Sequence, residues 1–300
     1  MLQTFNEKNR DIIVNINGEL VHRDQARISP FDSAVQGGDA IWEGLRLCKG
    51  RVFKLTEHLD RLRSSALALA YTDLPSRERI TEEIRRTLEE NDMTDGVYIR
   101  LTLTRGEKIT SGLDPRLNRS GPTLIIVAEH KPPVYDSDGI ELITSTIRRA
   151  SPDCLDPKIH HANMLPSILA KIQANAAGAD DALMLDLNGS VAETNATHVF
   201  LVEEGKLVTP PARACPEGIT RATVLELCAT NEIPCEVREI TLTDVYRADE
   251  MFCTGTMGGL VAVTAVDGRP IGDGKVGPET RYIAQLFEDE SERAGVRMVG

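Results

Sequence analysis

Positive charge is scarce in this sequence. Against 46 aspartates and glutamates stand 34 lysines and arginines, a formal net charge of −12 over 300 residues. That balance excludes nucleic acid and anionic membrane as principal partners, because phosphate backbones and headgroups reward clustered cations. A CxxC pair is also missing. The six cysteines, Cys48, Cys154, Cys215, Cys228, Cys235 and Cys253, are scattered and have no histidine at metal-ligand spacing. Reduced thiols in a cytoplasmic protein are therefore expected, and a metal site is not. No apolar stretch approaches the ~20 residues a membrane helix needs. The opening Met1-Leu2-Gln3-Thr4-Phe5-Asn6-Glu7 has neither the basic start nor the apolar run of an export signal. Repeats and low-complexity tracts are absent as well.

What is present suits a soluble globular protein. Hydrophobic residues make up 41% of the chain, enough to bury one large core or two medium ones. Asn17-Gly18 tolerates positive φ and predicts a hairpin between two short strands within Ile12–Val21. Leu59, Leu62, Ala66 and Leu69 recur at helical spacing, with Thr56 as the expected cap, and Ile80, Ile84 and Leu88 mark a second helix from Ser76 to Glu90. The β-branched runs Val97–Leu103 and Pro122–Val127 read as strands. The proline-rich stretch after them predicts a linker over 131–137, separating a small α+β domain (1–130) from a larger one (138–300). In the second half, strands are predicted at Ile140–Thr146, Ala182–Leu185, Val199–Val202 and Glu236–Ile240. Helices are predicted from Pro166 to Ala177 and from Thr220 to Asn231. Helices interleave with hairpins rather than alternating strictly with strands, so the fold class is α+β.

Two glycine-bearing segments can hold a phosphate. Gly218-Ile219-Thr220-Arg221 opens a helix, where unpaired N–H groups and the positive dipole end attract an anion. Thr254-Gly255-Thr256-Met257-Gly258-Gly259 offers hydroxyls and a close backbone approach. Each on its own is a weak signal, since glycine at a helix start is more often plain turn chemistry.

Taken in order, several pieces resemble the class IV pyridoxal-phosphate aminotransferases, the branched-chain and D-amino-acid aminotransferase family. They are Ile41–Arg46, Glu57–Leu62, Tyr98-Ile99-Arg100, Val191–Asn195, the Gly218–Arg221 turn and Gly255-Thr256, and the match runs nearly end to end. The resemblance implies a two-domain fold type IV architecture, a homodimer, and pyridoxal 5′-phosphate as cofactor. It implies that Arg61, Ile219, Thr220 and Thr256 hold the phosphate. Glu193 would face the pyridine nitrogen and keep it protonated. Tyr98, Arg100 and Met257 would line the substrate pocket, where an arginine meets a carboxylate.

One departure from that pattern decides the chemistry. The family's Schiff-base lysine stands three or four residues before the asparagine that is Asn163 here, and those positions hold His160 and Ile159. Lys158 lies five residues before Asn163. Were the stretch an extended strand, the side chains of residues 158 and 160 would stand about 6.6 Å apart on one face, so Lys158 reaches the cofactor only through a slip or bulge. Lys171 is a more distant source of the amine. His160 cannot carry the cofactor covalently, but its imidazole suits proton shuttling near neutral pH. Packing at a strand end is its plainer role. Met164, His198 and Gly37 also stand where the resemblance implies a tyrosine, an asparagine and a pocket tyrosine.

Three functions are open on these residues. The first is amino transfer between a branched-chain-like or D-amino acid and a 2-oxo acid. The second is a lyase or hydrolase using His160 as acid or base, with the cofactor held noncovalently or absent. The third is a nonenzymatic binder of pyridoxal phosphate.

Overall fold

A computed structural model describes residues 3–132, 134–135 and 138–300. The chain forms two compact units. The N-terminal unit runs to Pro132 and takes back Ile159–Asn163 and Glu292–Gly300, while the C-terminal unit holds the rest up to Lys158 and then Met164–Ser291. A linear division at 131–137 assigns both of those returning segments elsewhere. Of that linker, Pro133, Asp136 and Ser137 lie outside the described residues.

In the N-terminal unit, β1 (Ile13–Ile16) and β2 (Glu19–His22) pair through Asn17 and Gly18 at φ 55° and 90°, the left-handed pair that a type I′ turn requires. Then come α1 (Ser33–Gly37), β3 (Ala40–Cys48), β4 (Arg51–Val52), α2 (Leu55–Ala68), α3 (Arg77–Glu90), β5 (Val97–Thr104) and β6 (Thr123–His130). With the returning Val296–Arg297 they make a sheet ordered Val296–Arg297, β4, β3, β5, β6, β1, β2. Ser76 caps α3 by accepting from the Arg79 N–H at 3.2 Å. Thr56 does not cap α2: the helix starts at Leu55 after a left-handed Lys54 and has no side-chain cap. Leu59 and Leu62 of α2 and Ile80, Ile84 and Leu88 of α3 bury their stripes with Ile41, Leu45, Ile99 and Leu101 of the sheet, which follows from the helical and alternating periods of those residues.

The C-terminal unit comprises β7 (Ile140–Thr144), α4 (Leu165–Ala177), β8 (Asp181–Leu185), β9 (Val191–Thr194), β10 (His198–Glu203), β11 (Lys206–Thr209), α5 (Ile219–Thr230), β12 (Cys235–Val237), α6 (Leu242–Arg247), β13 (Glu250–Gly255), β14 (Gly259–Val266), β15 (Arg269–Pro270) and most of α7 (Pro278–Arg293). Its sheet runs β12, β11, β10, β13, β14, β7, β8, β9, with β15 on β14. The strand expected at Glu236–Ile240 is the shorter β12. Parallel pairs (β7 with β14 and β8, β11 with β12) mix with antiparallel hairpins, so the α+β class holds. Register sets Phe200 of β10 opposite Phe252 of β13, and their rings stack at 5.1 Å, both fully buried. Among the described residues no helix is long and apolar enough to cross a membrane.

Replacing Phe200 by alanine removes one half of that stack and leaves a cavity. A loss of about 3–5 kcal/mol in urea unfolding is expected.

Candidate active site

In the N-terminal unit a single buried carboxylate gathers the charged side chains. Glu43 sits in the middle of β3 with no exposed surface, where strand alternation turns it inward between the apolar Ile41 and Leu45. Its Oε1 accepts from Arg61 Nε at 2.8 Å, and its Oε2 accepts from Arg61 Nη2 at 2.7 Å, a bidentate fork. His58, one helical turn before Arg61 on α2, lies with Nδ1 2.7 Å from Oε2. His160 Nδ1 lies 3.2 Å from Oε1. A carboxylate offers about four acceptor positions, and four contacts from three residues fill them here. Burial works to raise the Glu43 pKa, but the Arg61 fork, His160 and His58 hold it well below the usual carboxylate range.

His160 is pinned by its backbone as well. Its N–H donates to Ser65 Oγ at 3.0 Å and its carbonyl accepts from Trp42 N–H, so residues 160–162 run along β3 as a short extra edge. The ring lies 4.2 Å from the Trp42 ring. Burial depresses the His160 pKa below its ordinary value, against the pull of Glu43, and Arg61 adds to the depression. Arg100, on β5, places its guanidinium 3.5 Å from the centre of the Trp42 ring, a cation–π contact rather than a surface ion pair. Tyr98 lies two residues earlier on the same face, and Gly44 makes room for it: a Cβ at Gly44 would meet the phenol oxygen at 2.9 Å.

The C-terminal unit holds the remaining expected residues. Buried Glu193, on β9, pairs with Arg149 at 2.7 Å. Gly218 is the N-cap of α5 and supplies no side chain to close the helix start, which leaves Ile219 and buried Thr220 in the first turn. Glycine is required there, because a Cβ would overlap the His198 ring. Arg221 fastens this turn by donating to the Pro210 carbonyl at 2.9 Å. Thr256 and Met257 lie in the turn joining β13 to β14. Just before it, Thr254 Oγ1 is buried without a hydrogen-bond partner, a cost that a bound acceptor would relieve.

Glu193, His198 and Cys215 bring donor atoms within 4.8 Å of one another. Burial, then Glu193, pushes the Cys215 thiol up, while Arg221 and Arg149 pull it down. Guanidinium charge on that trio disfavours a cation.

Lys158 does not lie on a strand. It sits in a turn, where its N–H donates to the Asp156 carboxylate at 3.0 Å, and its ammonium is 3.5 Å from Glu217 with 51% of the side chain exposed. Lys171 is 3.1 Å from Asp181 and donates to the Asp180 carbonyl. The C-terminal unit thus fits a phosphorylated heteroaromatic cofactor through an open helix start, an unmatched hydroxyl and a buried carboxylate. Neither Lys158 nor Lys171 presents a buried amine. Sequence motifs assign no role to Glu43, His58, Trp42, Ser65 or Arg149, although a lone carboxylate inside an apolar strand run is a signal for Glu43.

The amino-transferase class IV family model matches residues 40–266. "Branched-chain-amino-acid aminotransferase-like protein 2" of Arabidopsis thaliana is 53% identical over 290 residues, 96% of this chain and 52% of that protein. The chain therefore spans about half the length of that relative. The "Putative branched-chain-amino-acid aminotransferase" of Methanocaldococcus jannaschii is 40% identical over 95% of this chain and 98% of its own. Among solved structures, the Escherichia coli branched-chain amino acid aminotransferase superposes with TM-score 0.88 at 27% identity, covering 94% of this chain and 95% of its own. Another branched-chain amino acid aminotransferase, complexed with N-(5′-phosphopyridoxyl)-L-glutamate, superposes with TM-score 0.89 at 29% identity, covering 96% and 99%.

The site makes acid costly. The folded-state pKa of His160 is depressed, so the unfolded chain takes up its proton first and stability is lost as pH falls below the ordinary value of 6.5. Glu43, also depressed, adds a further loss below 4.5. The melting temperature is expected to fall from about pH 7 to about pH 5, and His160→Asn to flatten that segment in scanning fluorimetry. Glu43→Ala removes the buried acceptor shared by Arg61, His58 and His160 and is expected to cost about 3–5 kcal/mol in urea unfolding.

Proposed function

The chain belongs to the class IV aminotransferases, and we propose that it moves an amino group between an amino acid and a 2-oxo acid, using pyridoxal 5′-phosphate held without a covalent tether. The observation that carries this reading is buried Glu193, braced by Arg149 in the same unit as the open start of α5. The relatives' names favour a branched-chain donor over a D-amino acid, and favour amino transfer over a lyase, a hydrolase or a nonenzymatic binder. When bound, the cofactor supplies an electron sink at the amino-bearing carbon.

The chain's own groups have separate tasks. Glu193 keeps a proton on the ring nitrogen. Within the C-terminal unit Ile219, Thr220 and Thr256 donate to the phosphate, while within the N-terminal unit Arg61 is committed to Glu43. Arg100 meets the substrate carboxylate from its seat on Trp42, with Tyr98 two residues earlier on β5 beside it. His160 moves the proton that a lysine moves elsewhere in the family. Exposed, ion-paired Lys158 and tethered Lys171 are left out of the chemistry.

A second copy of the chain completes the assembly. On α4, Leu165, Ile168, Leu169 and Ile172 are 68%, 51%, 48% and 55% exposed at helical spacing, an apolar stripe that water does not favour. The acidic charge and six unbridged cysteines support a cytoplasmic setting.

Purified protein with added cofactor is expected to aminate 2-oxoglutarate from leucine, isoleucine or valine. Cofactor binding without turnover across that panel would overturn amino transfer. Borohydride treatment of the loaded protein is expected to leave every lysine peptide unmodified, and cofactor recovered on the peptide containing Lys158 would refute untethered binding. Glu193→Gln should lower turnover by roughly 10²-fold or more. Leu169→Glu should convert the dimer to monomer in light scattering.

A further inference from the structure

We infer that Glu43 is a positioning residue that fixes His160 as its Nδ1–H tautomer and leaves Nε2 as the basic atom of a buried carboxylate–imidazole pair. The inference rests on the reading of His160 as the proton-handling group and assigns the part that Glu43, His58 and Arg61 play in it.

The hydrogen bonds leave one arrangement. Glu43 Oε1, 3.2 Å from His160 Nδ1, also accepts from Arg61 Nε at 2.8 Å. Bidentate pairing with Arg61 keeps the carboxylate ionised, and an ionised carboxylate can only accept. The hydrogen between Glu43 and His160 therefore resides on Nδ1, and a neutral ring then has a bare Nε2. Imidazolium is the other way to satisfy Nδ1, and the charge count opposes it. Arg61 already balances Glu43 one to one, so a protonated His160 would be an unmatched charge with 13% of its side chain exposed. The remaining groups around the carboxylate agree. His58 Nδ1 occupies Oε2 at 2.7 Å and is itself 3% exposed, which prevents Glu43 from swinging away from His160.

The ring has little freedom to turn. Its backbone N–H and carbonyl are both bonded, to Ser65 Oγ and Trp42 N–H, and Trp42 lies 4.2 Å from it, 31° from parallel. Flipping the imidazole by 180° would place a carbon where Glu43 Oε1 expects a donor. A carboxylate behind Nδ1–H orients the base and stabilises the imidazolium that forms during proton transfer, as in the carboxylate–histidine pairs of hydrolases. The proton balance closes: Nε2 would accept the proton that leaves the α-carbon of the amino acid and hand it on to the carbon that receives it, while the Nδ1 hydrogen stays on His160, bonded to Glu43, so the ring ends as it began.

The test uses the whole chain without cofactor, labelled with ¹⁵N-histidine, with long-range ¹H–¹⁵N correlations recorded at about pH 7.5, above the ordinary range of imidazole titration. Six histidines give signals, and the one lost in His160→Asn is His160. The expected result is a protonated Nδ1 and a bare Nε2. An Nε2–H tautomer or an imidazolium in the wild-type protein overturns the inference. In Glu43→Gln the fixed preference should be lost, giving mixed tautomers, and Glu43→Asp should restore it. A folded Glu43→Gln protein that keeps the pure Nδ1–H form also overturns it. Should Glu43→Gln fail to fold, the wild-type spectrum decides alone. The spectrum needs neither cofactor nor substrate, so failure of the amino-transfer assay and failure of the tautomer assignment are separately visible.

Discussion

A carboxylate without access to water governs the N-terminal half of this protein. Burying Glu43 is unfavourable by several kcal/mol unless its lone pairs are met, and the chain meets them from two further elements. Helix α2 supplies His58 and Arg61 at positions three apart, and the returning segment supplies His160. Removal of Glu43 takes the shared acceptor from all three, and removal of any one partner leaves a buried carboxylate lone pair unmet. The network is therefore a geometric specification more than a source of net stability: strand, helix and return must each arrive in register for the charges to close.

The same chemistry explains why charge rather than bulk shapes this region. Trp42 is the sole tryptophan of the chain and is flanked by the imidazole of His160 and the guanidinium of Arg100. A flat, weakly negative ring face accommodates a cation at low cost, so Arg100 is held in place by an aromatic surface and its charge stays available to an anionic group. In the C-terminal unit the opposite device appears. There Glu193 is ion-paired with Arg149, and the start of α5 has no side-chain cap.

Much of this architecture is legible in the residues. Asn17-Gly18, Ser76 and the 3–4 spacing of Ile80, Ile84 and Leu88 act locally, so their elements form where local physics places them. Strands β9, β11, β13 and β14 gave weaker signals. The first three are buried almost throughout and β14 is buried along much of its length, so polar residues such as Glu193 and Thr254 interrupt runs that carry no alternation. The candidate site divides the same way. Ordered motifs pointed to Glu193, the α5 turn and Arg61, whereas Arg149 and His58 become visible only when distant segments meet. Lys158 illustrates the limit of spacing arguments: a strand count set it about 6.6 Å from position 160, while a turn directs it to Glu217.

The extra edge that residues 160–162 add beside β3, and the closing strand Val296–Arg297 beside β4, bear on how the polypeptide matures on the ribosome. The first sheet draws one border from the middle of the chain and another from residues more than a hundred positions later. Its folding nucleus can form early, but the finished N-terminal layer has to wait until Arg297 has been made, and no shortened product stopping near residue 131 contains everything that layer is made of.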